Sequence, residues 1–282
     1  MEPDTQAARP GPDDVAIDTT VPQSARIYDY WLGGKDNFAP DRAVAEALAA
    51  QIPTIRTMVR SQRVFLVRAV DYLVREAGIR QFLDIGTGIP SQDNVHEVAQ
   101  RIAPESRILY VDNDPIVLAH ARALMTSTPE GRTAFILGDV RQPRTILEDP
   151  SLQDTLDLNR PVALFLVGIL HHLHDSDDPL GIVRTLLVAL PSGSYFVLTQ
   201  PTADFDPGAM AGMAATAEQS GIPYVPRSRA EVEALLDGLT VVEPGVVPIP
   251  AWNPLRLDYP GSAETDADPY SVYGWAAVAR KP

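Results

Sequence analysis

The chain predicts an α/β fold, a doubly wound and mostly parallel sheet of seven strands behind an N-terminal helical cap. Three observations carry this expectation. From residue 81 onward, short apolar runs alternate with helical segments, the pattern of a parallel sheet with crossover helices. The stretch Gln81-Phe-Leu-Asp-Ile-Gly-Thr-Gly-Ile-Pro90 reads as strand, tight glycine turn and helix. Finally, Asp84, Asp112 and Asp139 fall at the ends of three successive predicted strands, where open α/β sheets bind ligands.

Residues 1–22 are rich in Pro, Asp, Ala and Thr and read as a disordered lead without the apolar core of a signal peptide. Residues 23–78 form the expected cap. Ser24 to Phe38 combines four aromatics and Gly33-Gly34 with Arg26, Asp29, Lys35, Asp36 and Asn37. One use is a short helix packing Ile27, Tyr30 and Trp31 on the core and ended by glycine. Another is a lid in which Tyr28 to Asn37 folds over a ligand, Gly33-Gly34 letting the chain turn and Tyr28 and Gly34 contacting the cofactor. The two are compatible. Asp41 to Gln51 is alanine-rich and helical by propensity. After Pro53, Ile55, Met58, Val59, Gln62, Leu66, Ala69, Val70 and Leu73 recur at helical spacing up to Gly78. The Arg56, Arg60, Arg63 and Arg75 series on this helix is read as a solvated face.

Residues 79–282 carry the sheet. The expected strands are Phe82 to Ile85, Arg107 to Val111, Thr133 to Leu137, Val162 to Val167 and Tyr195 to Thr199, then strands near Val241 to Val247 and Ser271 to Ala279. Helices are expected over Asp93 to Ala103, Ile116 to Met125, Pro179 to Leu190 and Pro207 to Ser220. A further helix opens at Ser228-x-x-Glu231, a capping-box pattern. The proline-rich piece from Glu243 to Pro260, around Trp252, reads as an ordered loop.

Composition narrows the function. A net charge of −14 argues against a sequence-independent grip on nucleic acid. The absence of cysteine removes disulfides and thiolate chemistry, and fits a cytoplasmic protein. The longest apolar run, Val162 to Leu170, is nine residues, about half a membrane span. No membrane partner is expected, and a homodimer is neither required nor excluded.

The glycine turn lets bare backbone approach a ligand. A dinucleotide fingerprint would place a third glycine where Ser91 stands. The motif is instead Asp84-x-Gly86-x-Gly88, and a carboxylate there suits a cationic group such as an α-ammonium rather than a pyrophosphate. That favours S-adenosylmethionine over NAD. Asp112, 26 residues after Gly86, stands where a carboxylate can accept hydrogen bonds from two ribose hydroxyls, Asn113 or Asp114 then capping the next helix. Asp139 is either a helix cap or an acceptor for an adenine amino group.

Asp84-Ile-Gly-Thr-Gly88, Val111-Asp112 and Gly138-Asp139 together resemble the cofactor site of class I S-adenosylmethionine-dependent methyltransferases. Tyr28-Asp-Tyr-Trp-Leu-Gly-Gly-Lys-Asp-Asn-Phe38, Asn94-Val-His-Glu-Val-Ala99 and Tyr110-Val-Asp-Asn-Asp-Pro-Ile-Val-Leu-Ala-His-Ala-Arg122 resemble an actinobacterial family of methyltransferase-like proteins long catalogued as a domain of unknown function. The likeness runs from about Ser24 to Ala279 and implies a Rossmann-like sheet. It implies S-adenosylmethionine as cofactor, with Gly86 and Gly88 at the methionine part, Asp112 at the ribose and Asp139 with Val140 flanking the adenine; Thr87 and Asn113 also count as cofactor-binding. Pro90 stands where the wider superfamily often has another glycine.

A small-molecule methyl acceptor is expected. In-line methyl transfer needs donor and acceptor held close and aligned, and a general base only where the acceptor must lose a proton. His172 and His171, in Gly168-Ile-Leu-His-His-Leu-His-Asp175, are candidate bases or pocket-shaping residues. With His174 they also invite a metal reading, which the lack of a ligand-helix pattern disfavours. Met210, Met213 and Trp252 are expected to pack, with lining of an acceptor site as the other use. Two other functions remain open on the sequence: an NAD-linked oxidoreductase, and a non-catalytic protein that binds S-adenosylmethionine or its demethylated product as a regulator.

Overall fold

In the computed structural model, which describes residues 18–255 and 268–282, eight strands form one sheet. They are β1 (Gln81–Ile85), β2 (Arg107–Asp112), β3 (Arg132–Leu137), β4 (Ala163–Val167), β5 (Tyr195–Pro201), β6 (Thr240–Val241), β7 (Val247–Pro248) and β8 (Gly274–Arg280). The order is β3-β2-β1-β4-β5-β8-β6, and β7 also pairs with β8. Strands β1 to β5 are mutually parallel; β8 runs antiparallel to β5, β6 and β7. The strand order turns back between β1 and β4, which makes their carboxyl ends the switch point.

The sheet separates two apolar layers by the alternation of its side chains. Phe82, Ile108, Phe165 and Val197 join the layer that includes Phe65 and Trp252. Leu83, Leu109, Leu164 and Phe196 join the opposite layer with Leu186 and Trp275. Strand β4 is apolar throughout because both of its faces are covered.

The segment expected as one strand near Val241 to Val247 is two short strands, β6 and β7, with Glu243-Pro244 between them. Proline lacks the N–H a continuous ladder needs. Ser271 belongs to a 3-10 turn, Pro269–Val272, and β8 starts only at Gly274. Two short helices, α6 (Pro143–Leu147) and α7 (Pro150–Thr155), fill the β3 to β4 connection. The expected lead up to residue 17, and the proline-rich loop from 256 to 260, lie outside the described residues.

Three helices precede the sheet: α1 (Ser24–Leu32), α2 (Ala39–Gln51) and α3 (Ile55–Arg75). Gly33 closes α1 in the left-handed conformation, as helices often end. Asp41, fully buried, accepts from the backbone N–H groups of Gln23 at 2.9 Å and Phe38 at 2.8 Å, tying both ends of the α1 segment to α2. Crossover helices α4 (Val95–Ile102), α5 (Pro115–Leu124) and α8 (Pro179–Ala189) flank the sheet. Helices α9 (Pro207–Gln219) and α10 (Arg229–Leu235) follow β5. The Ser228 capping box forms as expected, with Ser228 N–H donating to Glu231 at 2.8 Å.

One buried ion pair clamps the N-terminal segment to the sheet. Arg26 Nε lies 3.2 Å from Asp114 Oδ2, and the guanidinium also donates to the Asp18 carbonyl at 2.8 Å. Removing one partner of a buried pair strands the other charge. Arg26→Ala is therefore expected to lower unfolding stability by about 3 kcal/mol, read by urea titration. A loss within ~0.5 kcal/mol would contradict the clamp.

Candidate active site

The ligand site is built at the switch point. Asp84 is the fourth residue of β1, flanked in register by Tyr110 of β2 and Phe165 of β4. Its carboxyl lines a cavity of about 450 Å³ at the carboxyl ends of the strands. No described residue donates a hydrogen bond to it. Burial pushes it up to about 7; the Arg63 cation pulls the other way, and the Asp112 charge adds to the rise.

The turn after β1 follows from its glycines. Gly86 and Gly88 sit at φ +79° and +68°, a region closed to most side chains. Gly86 N–H donates to the Val111 carbonyl at 2.7 Å, and Gly88 N–H to Asp112 Oδ2 at 2.8 Å. A Cβ on Gly86 would fall on the Ile169 side chain, whereas one on Gly88 would meet nothing within 4 Å. Gly86→Ala should therefore cost about 3 kcal/mol of stability and Gly88→Ala about 1 kcal/mol. Equal losses in thermal unfolding would contradict the close packing at Gly86.

Asp112 ends β2 and does two jobs. Besides the Gly88 N–H it accepts from Asp114 N–H at 2.9 Å, so the carboxylate fixes the glycine turn and the start of α5. Burial pushes it up to about 6, against those backbone bonds. Asp114, not Asn113, caps α5, accepting from Ile116 N–H at 3.0 Å. Asn113, Thr87 and Val140 line the cavity. Asp139 lines it too, but already holds Arg141 through both carboxylate oxygens, at 3.0 Å from Arg141 Nε to Oδ1 and 2.6 Å from Arg141 Nη2 to Oδ2. Burial raises Asp139, and the Arg141 bonds more than offset this, leaving it below the usual carboxylate range. It caps no helix side-on; Gln142 stands at the start of α6.

The roof comes from the N-terminal cap. Val21 to Ala25, Tyr28 and Trp31 face the cavity, with Met58, Arg63 and Leu66 of α3 beside them. Tyr28 Oη donates to the Val59 carbonyl at 3.0 Å, and burial pushes its phenol up to about 12. Gly34 does not line the cavity. A Cβ there would fall on the Asp29 carboxylate, and that crowding accounts for the glycine. Gly34 is thus corrected from a ligand-contacting residue to a packing one, and of the expected lid, Tyr28 to Asn37, Tyr28 and Trp31 line the cavity, with Val21 to Ala25 ahead of them. The solvated-face reading also fails for Arg63, whose guanidinium lines the cavity and donates to the Gln92 and Asp93 carbonyls at 2.8 and 3.0 Å.

The opposite wall follows β4. Gly168 and Ile169 lead into a 3-10 turn, Leu170–His172. His171 and His172 both line the cavity with ring centroids 4.0 Å apart. His172 Nδ1 is 2.9 Å from the Pro223 carbonyl. That oxygen can only accept, so Nδ1 carries the proton and a neutral ring keeps its lone pair on Nε2. Burial lowers the His172 pKa and lowers that of His171 further. His174 lies apart, 3.8 Å from Glu218. Met213 of α9 lines the cavity, while Met210 and Trp252 are buried in the core, Trp252 edge-on to Phe65 and Tyr72.

A doubly wound sheet with a glycine turn after its first strand and a chamber over its switch point is the build of class I S-adenosylmethionine-dependent methyltransferases. A model of the S-adenosyl methyltransferase family matches residues 11–282, and the chain belongs to that family. A DUF574 family protein from Streptomyces avermitilis is 47% identical, with a TM-score of 0.90 over 95% of this chain and 100% of its own. A candidate methyltransferase from Thermobifida fusca is 38% identical, with a TM-score of 0.82 over 93% and 95%. The plantazolicin methyltransferase BpumL, solved with S-adenosylhomocysteine, shares the fold at 14% identity, with a TM-score of 0.51 over 92% and 96%. No curated protein matched. The chain is thus an S-adenosylmethionine-dependent methyltransferase, and the NAD reading falls.

The residues present fit this cofactor. Asp84 offers a buried carboxylate without a protein donor to the chamber, and Gly88 leaves open space where a side chain would stand. Among the described residues, no helix is long and apolar enough to cross a membrane.

Proposed function

We propose that the enzyme methylates a hydroxyl of a small molecule, with His172 as the base. The observation that carries this reading is the single chamber that joins Asp84 to Nε2 of a neutral, tautomerically fixed His172. Its volume suits small ligands, and the cap roofs it. In this reading Asp84 takes the cofactor ammonium, with Gly86, Thr87 and Gly88 beside the methionine part. Asp112 takes the ribose hydroxyls on the lone pairs left by Gly88 and Asp114, with Asn113 alongside. Val140 and Asp139 flank the adenine, and Tyr28 closes the roof.

The cofactor supplies an electrophilic methyl on a sulfonium, whose transfer leaves a neutral thioether. The chain's own work is placement and proton removal. Met213, Ile222 and Tyr224 line the same chamber as the histidines, with the Tyr224 ring 4.9 Å from that of His171, and in this reading they orient the acceptor and keep water out. As an acceptor oxygen takes up that methyl, His172 Nε2 would receive the hydroxyl proton. The reading includes a cytoplasmic enzyme and no nucleic-acid partner; the net charge of −14 supports the latter. One chain supplies the whole described lining, so a second copy is not needed to complete the site.

The test is incubation with methyl-labelled S-adenosylmethionine and a cell extract split into low-mass and macromolecular fractions. Label is expected in an extractable small product. Label confined to protein or nucleic acid would contradict the reading.

A further inference from the structure

His171 has no assigned task beside a neighbour that already supplies the base. Its ring is buried, 8% exposed. Its Nδ1 is sealed from solvent with no hydrogen-bond partner. A proton on that atom would be a buried N–H donor without an acceptor, which costs more than an unused lone pair. The proton therefore belongs on Nε2, the ring's other polar atom. His172 is fixed the other way, Nδ1–H donating to the Pro223 carbonyl at 2.9 Å. Both rings line the same chamber, centroids 4.0 Å apart.

The groups around the pair keep it uncharged. Arg227 is buried and spans the turn, donating to the Leu170 carbonyl at 2.7 Å and the Leu173 carbonyl at 2.9 Å. Burial, the neighbouring His172 and this guanidinium all hold His171 well below the ordinary imidazole value. Tyr224 packs its ring 4.9 Å from that of His171 and stays protonated, burial pushing its phenol well upward. The pair thus presents one acceptor and one donor side by side at neutral pH.

We propose that His171 and His172, locked as opposite neutral tautomers, select a methyl acceptor bearing two oxygens on adjacent carbons. The reacting hydroxyl donates to Nε2 of His172, and the neighbouring oxygen, a second hydroxyl or a carbonyl, accepts from Nε2–H of His171. A lone hydroxyl leaves the His171 N–H buried and unpaired. A site built around a hydrogen bond rejects a ligand that lacks the partner far more strongly than an apolar site rejects a missing methylene. Met213, Ile222 and Tyr224 line the same chamber as the pair, which gives the acceptor's carbon scaffold apolar surface to rest on. This selectivity rests on the proposed hydroxyl methylation, with His171 as the specificity residue.

Two measurements test it on the full chain. Long-range proton–nitrogen correlation spectra of the five histidines, assigned with His171→Phe and His172→Phe, read the tautomers without any acceptor. Nε2–H at His171 and Nδ1–H at His172 are expected from about pH 6 to 8. The same tautomer at both positions, or a charged His171, overturns the proposal. Second, the S-adenosylhomocysteine complex is titrated with catechol, its isomer resorcinol and phenol. Catechol is expected to bind at least about tenfold more tightly than the other two, and His171→Phe to reduce that ratio to near one while leaving S-adenosylhomocysteine affinity unchanged. Equal binding by wild type, or a preference that survives in His171→Phe, overturns it. A protein that shows the tautomers and the preference but transfers no methyl would fail the functional reading and not this one.

Discussion

Replacing Asp84 with asparagine is expected to weaken S-adenosylhomocysteine binding by about 3 kcal/mol, the scale of a lost hydrogen bond between charged groups. The same change should stabilise the ligand-free protein. The two effects share one cause. The folded carboxyl titrates near 7 and the unfolded one near 3.8, so between those values the folded state binds the extra proton. Stability therefore falls as pH rises through this window. The shift corresponds to ~4 kcal/mol once the group is ionised, part of which the asparagine variant recovers. A bound ammonium reverses the preference by favouring the carboxylate. Wild-type affinity is then expected to drop as pH falls below about 7, while Asp84→Asn lacks the limb near 7 and keeps only what Asp112, raised to about 6, contributes lower down. Calorimetry and thermal unfolding across pH read both arms. A variant with unchanged affinity, or with lower ligand-free stability at pH 8, would contradict the assignment.

The second large effect belongs to His172. Replacement by alanine is expected to lower kcat for a hydroxyl acceptor by about 10²- to 10⁴-fold, the usual worth of a positioned base. S-adenosylhomocysteine affinity should not move. The pH profile separates a base from a wall residue. Burial lowers the His172 pKa, so the wild-type rate should fall only below the ordinary imidazole value of about 6.5, and that limb should vanish in the variant. A variant that keeps the limb would assign the proton transfer elsewhere.

Asp112 carries a different expectation now that its bonds are known. Asp112→Ala removes a ribose partner and also releases Gly88 and Asp114. A loss of ligand affinity of about 1.5 to 3 kcal/mol should come with a loss of stability. Affinity loss without any change in stability would contradict the loop-fixing bonds.

What the sequence revealed were features encoded locally. The apolar run and glycines of residues 82–88 specify a strand and a turn within a few residues, and Gly33 and the Ser228 capping box mark helix ends by the same short-range chemistry. What it concealed depends on distant segments. Arg63 falls on the polar face of α3 by periodicity, but that face meets the chamber and the Gln92-Asp93 carbonyls instead of bulk water. The tautomer of His172 is set by Pro223, 51 residues away. Asp139 looked like a helix cap or a free acceptor, and Arg141 two residues on occupies it. Gly34 resembled a ligand-facing glycine because crowding by Asp29 leaves the same signature.

The most direct test of the cofactor site is a count of protons released on binding. Wild type and Asp84→Asn are titrated calorimetrically with S-adenosylhomocysteine at about pH 6, in buffers of different ionisation enthalpy, with NAD as control. About one more proton should leave wild type than the variant, and NAD should not bind. Equal proton release by the two proteins, or binding of NAD, would contradict a buried carboxylate that receives the cofactor ammonium.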